Sequence, residues 1–143
     1  MIPLCVPDLA GNEARYLQEC VDSTFVSSVG PFVTQFESAV ATAAGVKAVT
    51  AVSSGTTGLH LALMTVGVVA GDLVILPSLT FIASANAIAH CGASPWLMDV
   101  SPDSWALDPD LFRAALESKT EQRNGETFHT ATGRRVKAVL PVY

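Results

Sequence analysis

Ser53-Ser54-Gly55-Thr56-Thr57 is the run of residue types most suited to chemistry. It lies within Val49–Leu61, where an apolar stretch stops at small hydroxyl residues and a glycine, and a helical pattern starts at once. A helix that begins this way aims its first-turn N–H groups at one point, and its dipole favours negative charge there. Ser and Thr hydroxyls add donors, and glycine lets the backbone approach a ligand. The chemistry that fits is the holding of a phosphate. Ser54 and Thr56 also suit plain helix capping, and the pattern alone leaves both roles open.

A cup of this kind needs a strand behind it and a helix ahead of it. The pattern predicts helices over Asn12–Ser23, from Gly30-Pro31 to a C-terminal glycine at Gly45, and over Thr56–Val66, Leu79–Cys91 (capped by Ser78) and Pro109–Ser118. Phe25–Val29 reads as extended. Strands are expected at Lys47–Val52, Asp72–Pro77, Pro95–Val100 and Val136–Val142, with Lys119–Arg135 a polar loop or hairpin excursion. Unbroken apolar runs such as Leu-Val-Ile-Leu imply strands covered on both faces, and strands alternating with helices imply parallel crossovers. The expected fold class is therefore α/β, a βαβαβαβ sheet.

Ligands of such sheets sit beyond the strand C-termini. Those ends supply Ser53–Thr56, Pro77-Ser78-Leu79-Thr80-Phe81, Asp99 and Tyr143. Phe81 could staple its own helix, and on pattern alone that is the simpler role. Asp99 could cap or brace the turn before Pro102. His60, His90 and His129 have no Ser or Cys partner at a recognisable spacing, so a catalytic triad is not supported. The dinucleotide and P-loop glycine fingerprints are missing too.

Composition narrows the classes. The chain has 143 residues, half of them hydrophobic and 15% charged, enough for one domain with a sizeable core and apolar for an ordinary soluble one. A formal net charge of −5 argues against nucleic acid as partner. No segment reaches the roughly 18–20 uninterrupted apolar residues of a membrane helix, and no secretory signal is evident. Cys5, Cys20 and Cys91 are scattered without metal-ligand spacing, which suits reduced thiols and a cytoplasmic setting.

The runs SSGTTGLHLAL, GVVAGDLVILPSLTFIASANAIAHCGASPWLMDV and VKAVLPVY resemble the first half of the DegT/DnrJ/EryC1/StrS sugar aminotransferases. FVSSVGPFVTQFE and NGETFHTATGRR resemble the LegC-like branch of that family. The resemblance implies a three-layer α/β sandwich with a mostly parallel sheet, the N-terminal part of the fold type I (aspartate aminotransferase-like) large domain. Residues 1–45 would form an N-terminal helical segment and 46–143 part of the domain that binds pyridoxal 5′-phosphate (PLP). It implies amination of a nucleotide-activated 4-keto-6-deoxy sugar, with an amino donor such as glutamate, by a homodimer or higher oligomer. Gly55, Thr56 and Thr57 match the positions that hold the cofactor phosphate, and Phe81 the aromatic that stacks on its ring. Thr57 stands where many members have alanine, and Tyr143 where they have histidine. The segment at Ser28-Val29-Gly30 lies near the sugar in relatives, although a turn glycine explains it as well.

Aminotransfer also needs a Schiff-base lysine and an acid at the pyridine nitrogen. In the family both fall beyond Tyr143. The lysines present are Lys47, Lys119 and Lys137, two at strand starts and one in the excursion, and none suits the role. No catalytic residue and no metal ligand is therefore assigned, and the chain is expected to be a truncated, inactive portion when alone. Two alternatives stay open: a dehydratase of the same family that uses the aminated cofactor, and a non-catalytic phosphate-binding half-domain that self-associates.

Overall fold

The computed structural model describes residues 2–3 and 5–142. The chain divides into two compact units, Met1–Ala51 and Val52–Tyr143. In the first, α1 (Glu13–Asp22) and α2 (Pro31–Ala44) meet through the rings of Tyr16 and Phe32, whose centroids lie 5.1 Å apart. Proline at the first position of α2 fits because the missing N–H would have no helical partner there. Gly45 ends the helix in the left-handed region at φ 66°. Its N–H donates to Thr42 O and that of Val46 to Ala41 O, so the last carbonyls are satisfied.

The second unit runs α3 (Gly55–Thr65), β1 (Leu73–Pro77), α4 (Ile82–His90), β2 (Ser94–Met98) and α5 (Pro109–Lys119). Next come β3 (Thr120–Arg123), β4 (Glu126–His129) and β5 (Val136–Val139). Strands β2, β1 and β5 form a parallel sheet with β1 in the middle, Val74 lying opposite Pro95 on one side and Ala138 on the other. Every residue of β1 is buried, as expected of a strand covered on both faces. Val74 and Leu76 turn to one face, packing with Leu63 of α3, Ala87 and Ile88 of α4, and Val68 and Ala93. Ile75 turns to the other, where it lines a cleft of about 200 Å³ with Phe112 and Leu116 of α5. Helices thus lie on both sides of the sheet. At Gly92 the backbone comes so close to Ala70 that a Cβ would lie 2.9 Å from that residue's own.

Several expectations need correction. Lys47–Val52 is not a strand: these residues join no ladder, and the Ala51 N–H is taken by the Glu37 carboxylate at 2.8 Å. The described parallel sheet therefore has three strands rather than four. The fourth helix starts at Ile82 with Phe81 as its N-cap residue, not at Leu79 with Ser78 as its cap. Ser78 is drawn into the sheet edge instead, its N–H donating to Met98 O at 2.7 Å. The last strand stops at Val139. Leu140 gives one more bond, to Ile75 O at 2.8 Å, and Pro141 has no N–H to continue. The excursion resolves as a hairpin, β3–β4, around Asn124-Gly125, both at positive φ as a two-residue type I′ turn demands.

A charged clasp ties this hairpin to the N-terminal edge of the sheet. Arg135 grips Asp72 with two bonds of 2.9 and 2.8 Å and Glu126 with one of 2.6 Å. Arg134 donates to Gly71 O, Asp72 O and the Ser94 hydroxyl. Burial pushes the Asp72 carboxyl up, but the Arg135 and Val69 donors and the charges of Arg135 and Lys137 outweigh it and hold it below its ordinary value.

Candidate functional site

Helix α3 leads into β1 through residues 66–72, and β1 leads into α4 through residues 78–81, so both helix N-termini lie at the sheet's C-terminal edge. The two helices pack side by side. This edge is where ligands of parallel sheets bind.

At the start of α3, Ser54 is extended and acts as N-cap, its hydroxyl accepting from the Thr57 N–H at 3.2 Å. The Thr57 hydroxyl lies 3.1 Å from that of Ser54 and 3.3 Å from that of Ser53. The Ser54 carbonyl takes the Gly58 N–H at 3.0 Å. Among the described residues, the N–H groups of Gly55 and Thr56 find no acceptor. They are the orphan donors of the first turn, set at the positive end of the helix dipole. Gly55 is exposed, and a Cβ placed on it would meet nothing within 4 Å. Ser54 and Thr57 thus supply the cap, and Gly55 and Thr56 keep free donors. Ser53 belongs to this hydroxyl cluster as well.

Phe81 stands at the head of α4 with 78% of its surface exposed. A staple packed on its own helix would be covered, so that simpler role does not apply. The polar start of α4 is served by Thr80 and Ser84, whose hydroxyls lie 3.0 Å apart. Asp99, beyond β2, takes its neighbour Val100's N–H at 2.8 Å and the Ser78 hydroxyl at 3.5 Å, a brace for the turn. The loop it opens carries Trp105, largely exposed and at a positive φ of 61°.

Other candidates fall elsewhere. Lys119 ends α5, and Lys137 sits in β5 with its Cε 3.3 Å from where a Cβ on Gly67 would be. Its charge reaches Asp72, at the strand starts, the edge opposite the cup. Lys47 lies in the first unit. His129 pairs with Thr132 and meets the Trp96 ring at a tilt of 58°, with centroids 4.6 Å apart. Gly30 has φ 146°, which only glycine adopts readily, so the turn accounts for it. Tyr143 lies outside the described residues. Among the described residues no group of three His, Cys, Asp or Glu side chains could hold a metal ion, and no helix is long and apolar enough to cross a membrane.

Comparison with known proteins places this edge in context. A GDP-perosamine synthase of Caulobacter vibrioides is 48% identical over 120 residues, 84% of this chain and 32% of that protein. The chain thus spans about a third of the length of the curated relatives it matches. The crystal structure of a DegT DnrJ EryC1 StrS aminotransferase from Brucella abortus superposes with a TM-score of 0.73 at 31% identity, over 97% of this chain and 36% of that one. The PLP form of the sugar aminotransferase Spr1654 from Streptococcus pneumoniae gives 0.67 at 33% identity, over 80% and 29%; a PMP form is also known. The family model for these enzymes matches residues 7–143, and the chain belongs to the DegT/DnrJ/EryC1/StrS aminotransferase family.

Proposed function

We propose that this chain contributes the phosphate cup and one ring-stacking face of a PLP-dependent sugar aminotransferase. The observation that carries the reading is the capped start of α3, where Gly55 and Thr56 keep two N–H groups without an acceptor at an exposed turn. These donors and the dipole suit a phosphate dianion, and a flat exposed ring at Phe81 on the neighbouring helix suits a heteroaromatic ring. The residues present fit the cofactor. Gly55, Thr56 and Thr57 would hold its phosphate and Phe81 would cover its ring. When bound, PLP supplies the electron sink that lets an amino group leave a donor and enter a keto sugar. This chain's residues fix and orient it and keep water from one face; they supply no lysine to the cup.

The relatives' names support a nucleotide-sugar substrate, since one is the synthase of a GDP-linked sugar. We read the substrate as a nucleotide-activated 4-keto-6-deoxy sugar and the donor as an amino acid such as glutamate. The LegC-like assignment rests on FVSSVGPFVTQFE and on NGETFHTATGRR. The second run holds β4 and one arm of the clasp. Absorbance titration of the chain with PLP tests the reading: saturable binding that inorganic phosphate displaces is expected. Binding indifferent to phosphate would overturn it, since nothing else in the cup should select the cofactor.

A further inference from the structure

His60 in the middle of α3 and His90 at the last position of α4 face each other, with ring centroids 5.5 Å apart and planes at 64°. His60 is half-buried and His90 exposed, so solutes reach the pair. Among the described residues, His129 alone has a ring nitrogen bonded to another side chain, at 2.9 Å from Thr132. The cup and Phe81 make no use of either ring. Two imidazoles held by packed helices are half of a metal site, and their spacing can be tested against one. An imidazole nitrogen binds Zn²⁺ at about 2.0–2.1 Å, which puts each ring centroid about 3.2 Å from the ion. Two such rings at a near-tetrahedral angle then have centroids about 5–5.5 Å apart. The observed separation falls at the upper end of that range.

We propose that His60 and His90 form a two-histidine site for a divalent ion of the imidazole-preferring class, Zn²⁺, Ni²⁺ or Cu²⁺, with water completing the shell. Among the described residues no third protein ligand converges, so the site is exchangeable rather than a permanent structural centre. Cys91 follows His90 in the chain but does not join the two rings in a three-ligand group. The ion bridges α3 and α4, the helices whose N-termini bear the cup and Phe81. Because the unfolded chain does not hold the two rings together, the ion stabilises the native state.

Calorimetric titration of the full chain with NiCl₂, alongside thermal unfolding with Ni²⁺ or with EDTA, tests the site. About one ion per chain is expected, with a higher unfolding temperature that EDTA reverses. Either His60→Gln or His90→Gln should weaken binding at least about tenfold, and His129→Gln should leave it unchanged. No binding, binding that survives both single variants, or binding lost in His129→Gln would overturn the proposal.

Discussion

At the start of α3 the hydroxyls of Ser54 and Thr57 satisfy one another and one N–H, while the N–H groups of Gly55 and Thr56 are left without an acceptor among the described residues. This division gives Gly55→Ala two opposite effects. The new methyl meets nothing within 4 Å, and removing glycine from a helical turn should raise stability by about 0.5–1 kcal/mol. The same methyl narrows the approach to the free donors, so PLP affinity should fall. Urea unfolding and PLP titration on one preparation read both, and a fall in stability would contradict the geometry. Phe81→Leu keeps an apolar side chain but loses the flat face. With the ring mostly exposed, stability should stay within about 0.5 kcal/mol. PLP binding should weaken about 3–10-fold, the worth of about 0.5–1.5 kcal/mol of stacking. Equal affinity in the variant would remove Phe81 from the site. The cap at Ser54 was legible in the sequence because capping involves residues three apart. Phe81's exposure was not, because it depends on what fails to pack over it.

Among the elements, the hairpin and β5 are held at the sheet's N-terminal edge by Arg134 and Arg135, and the clasp turns on one carboxylate. The Asp72 side chain is 6% exposed and that of Arg135 22%. Removing the Asp72 charge leaves Arg135 only the more exposed Glu126 as a charged partner, so Asp72→Asn should cost about 1–3 kcal/mol in unfolding free energy. The pH dependence has a definite sign. A carboxyl whose folded pKa is depressed stabilises fully above its unfolded value, about 3.9, and the contribution is lost as pH falls through the folded one. Unfolding of the native chain should therefore turn steeply easier below about pH 4, and Asp72→Asn should flatten that limb. An unchanged acid limb in the variant would show that the clasp is not the group titrating. Element by element, α2, α3, β1 and α5 were legible because their signals are local: Pro31 and Gly45, the Ser54 cap, the buried Leu-Val-Ile-Leu run, and the helical pattern from Pro109. Lys47–Val52 misled because a run of β-formers becomes a strand only where a neighbour offers a ladder.

For the whole molecule, the outstanding property is how much apolar surface stays in water. Leu61, Met64 and Val66 at α3, Phe81 and Ile82 at α4, and Leu97 on β2 are all exposed, and β2 and β5 are both open edges. Parallel sheets are normally covered on both faces, and unpaired edges invite association. The chain should self-associate at moderate concentration, with sedimentation velocity giving a dimer or larger species; a clean monomer would contradict this. The sequence by itself determined the α/β class, the course of helices α2, α3 and α5, and the kinship with sugar aminotransferases. All of these are carried by near neighbours in the chain or by residue types at fixed spacing. Only the tertiary structure decided which extended segments pair, that Ser78 joins the sheet edge and Phe81 stands bare, that Arg135 reaches Asp72, and that His60 meets His90. Each of those joins groups distant in sequence or depends on what packs nearby, and packing brings them together in ways no local pattern encodes.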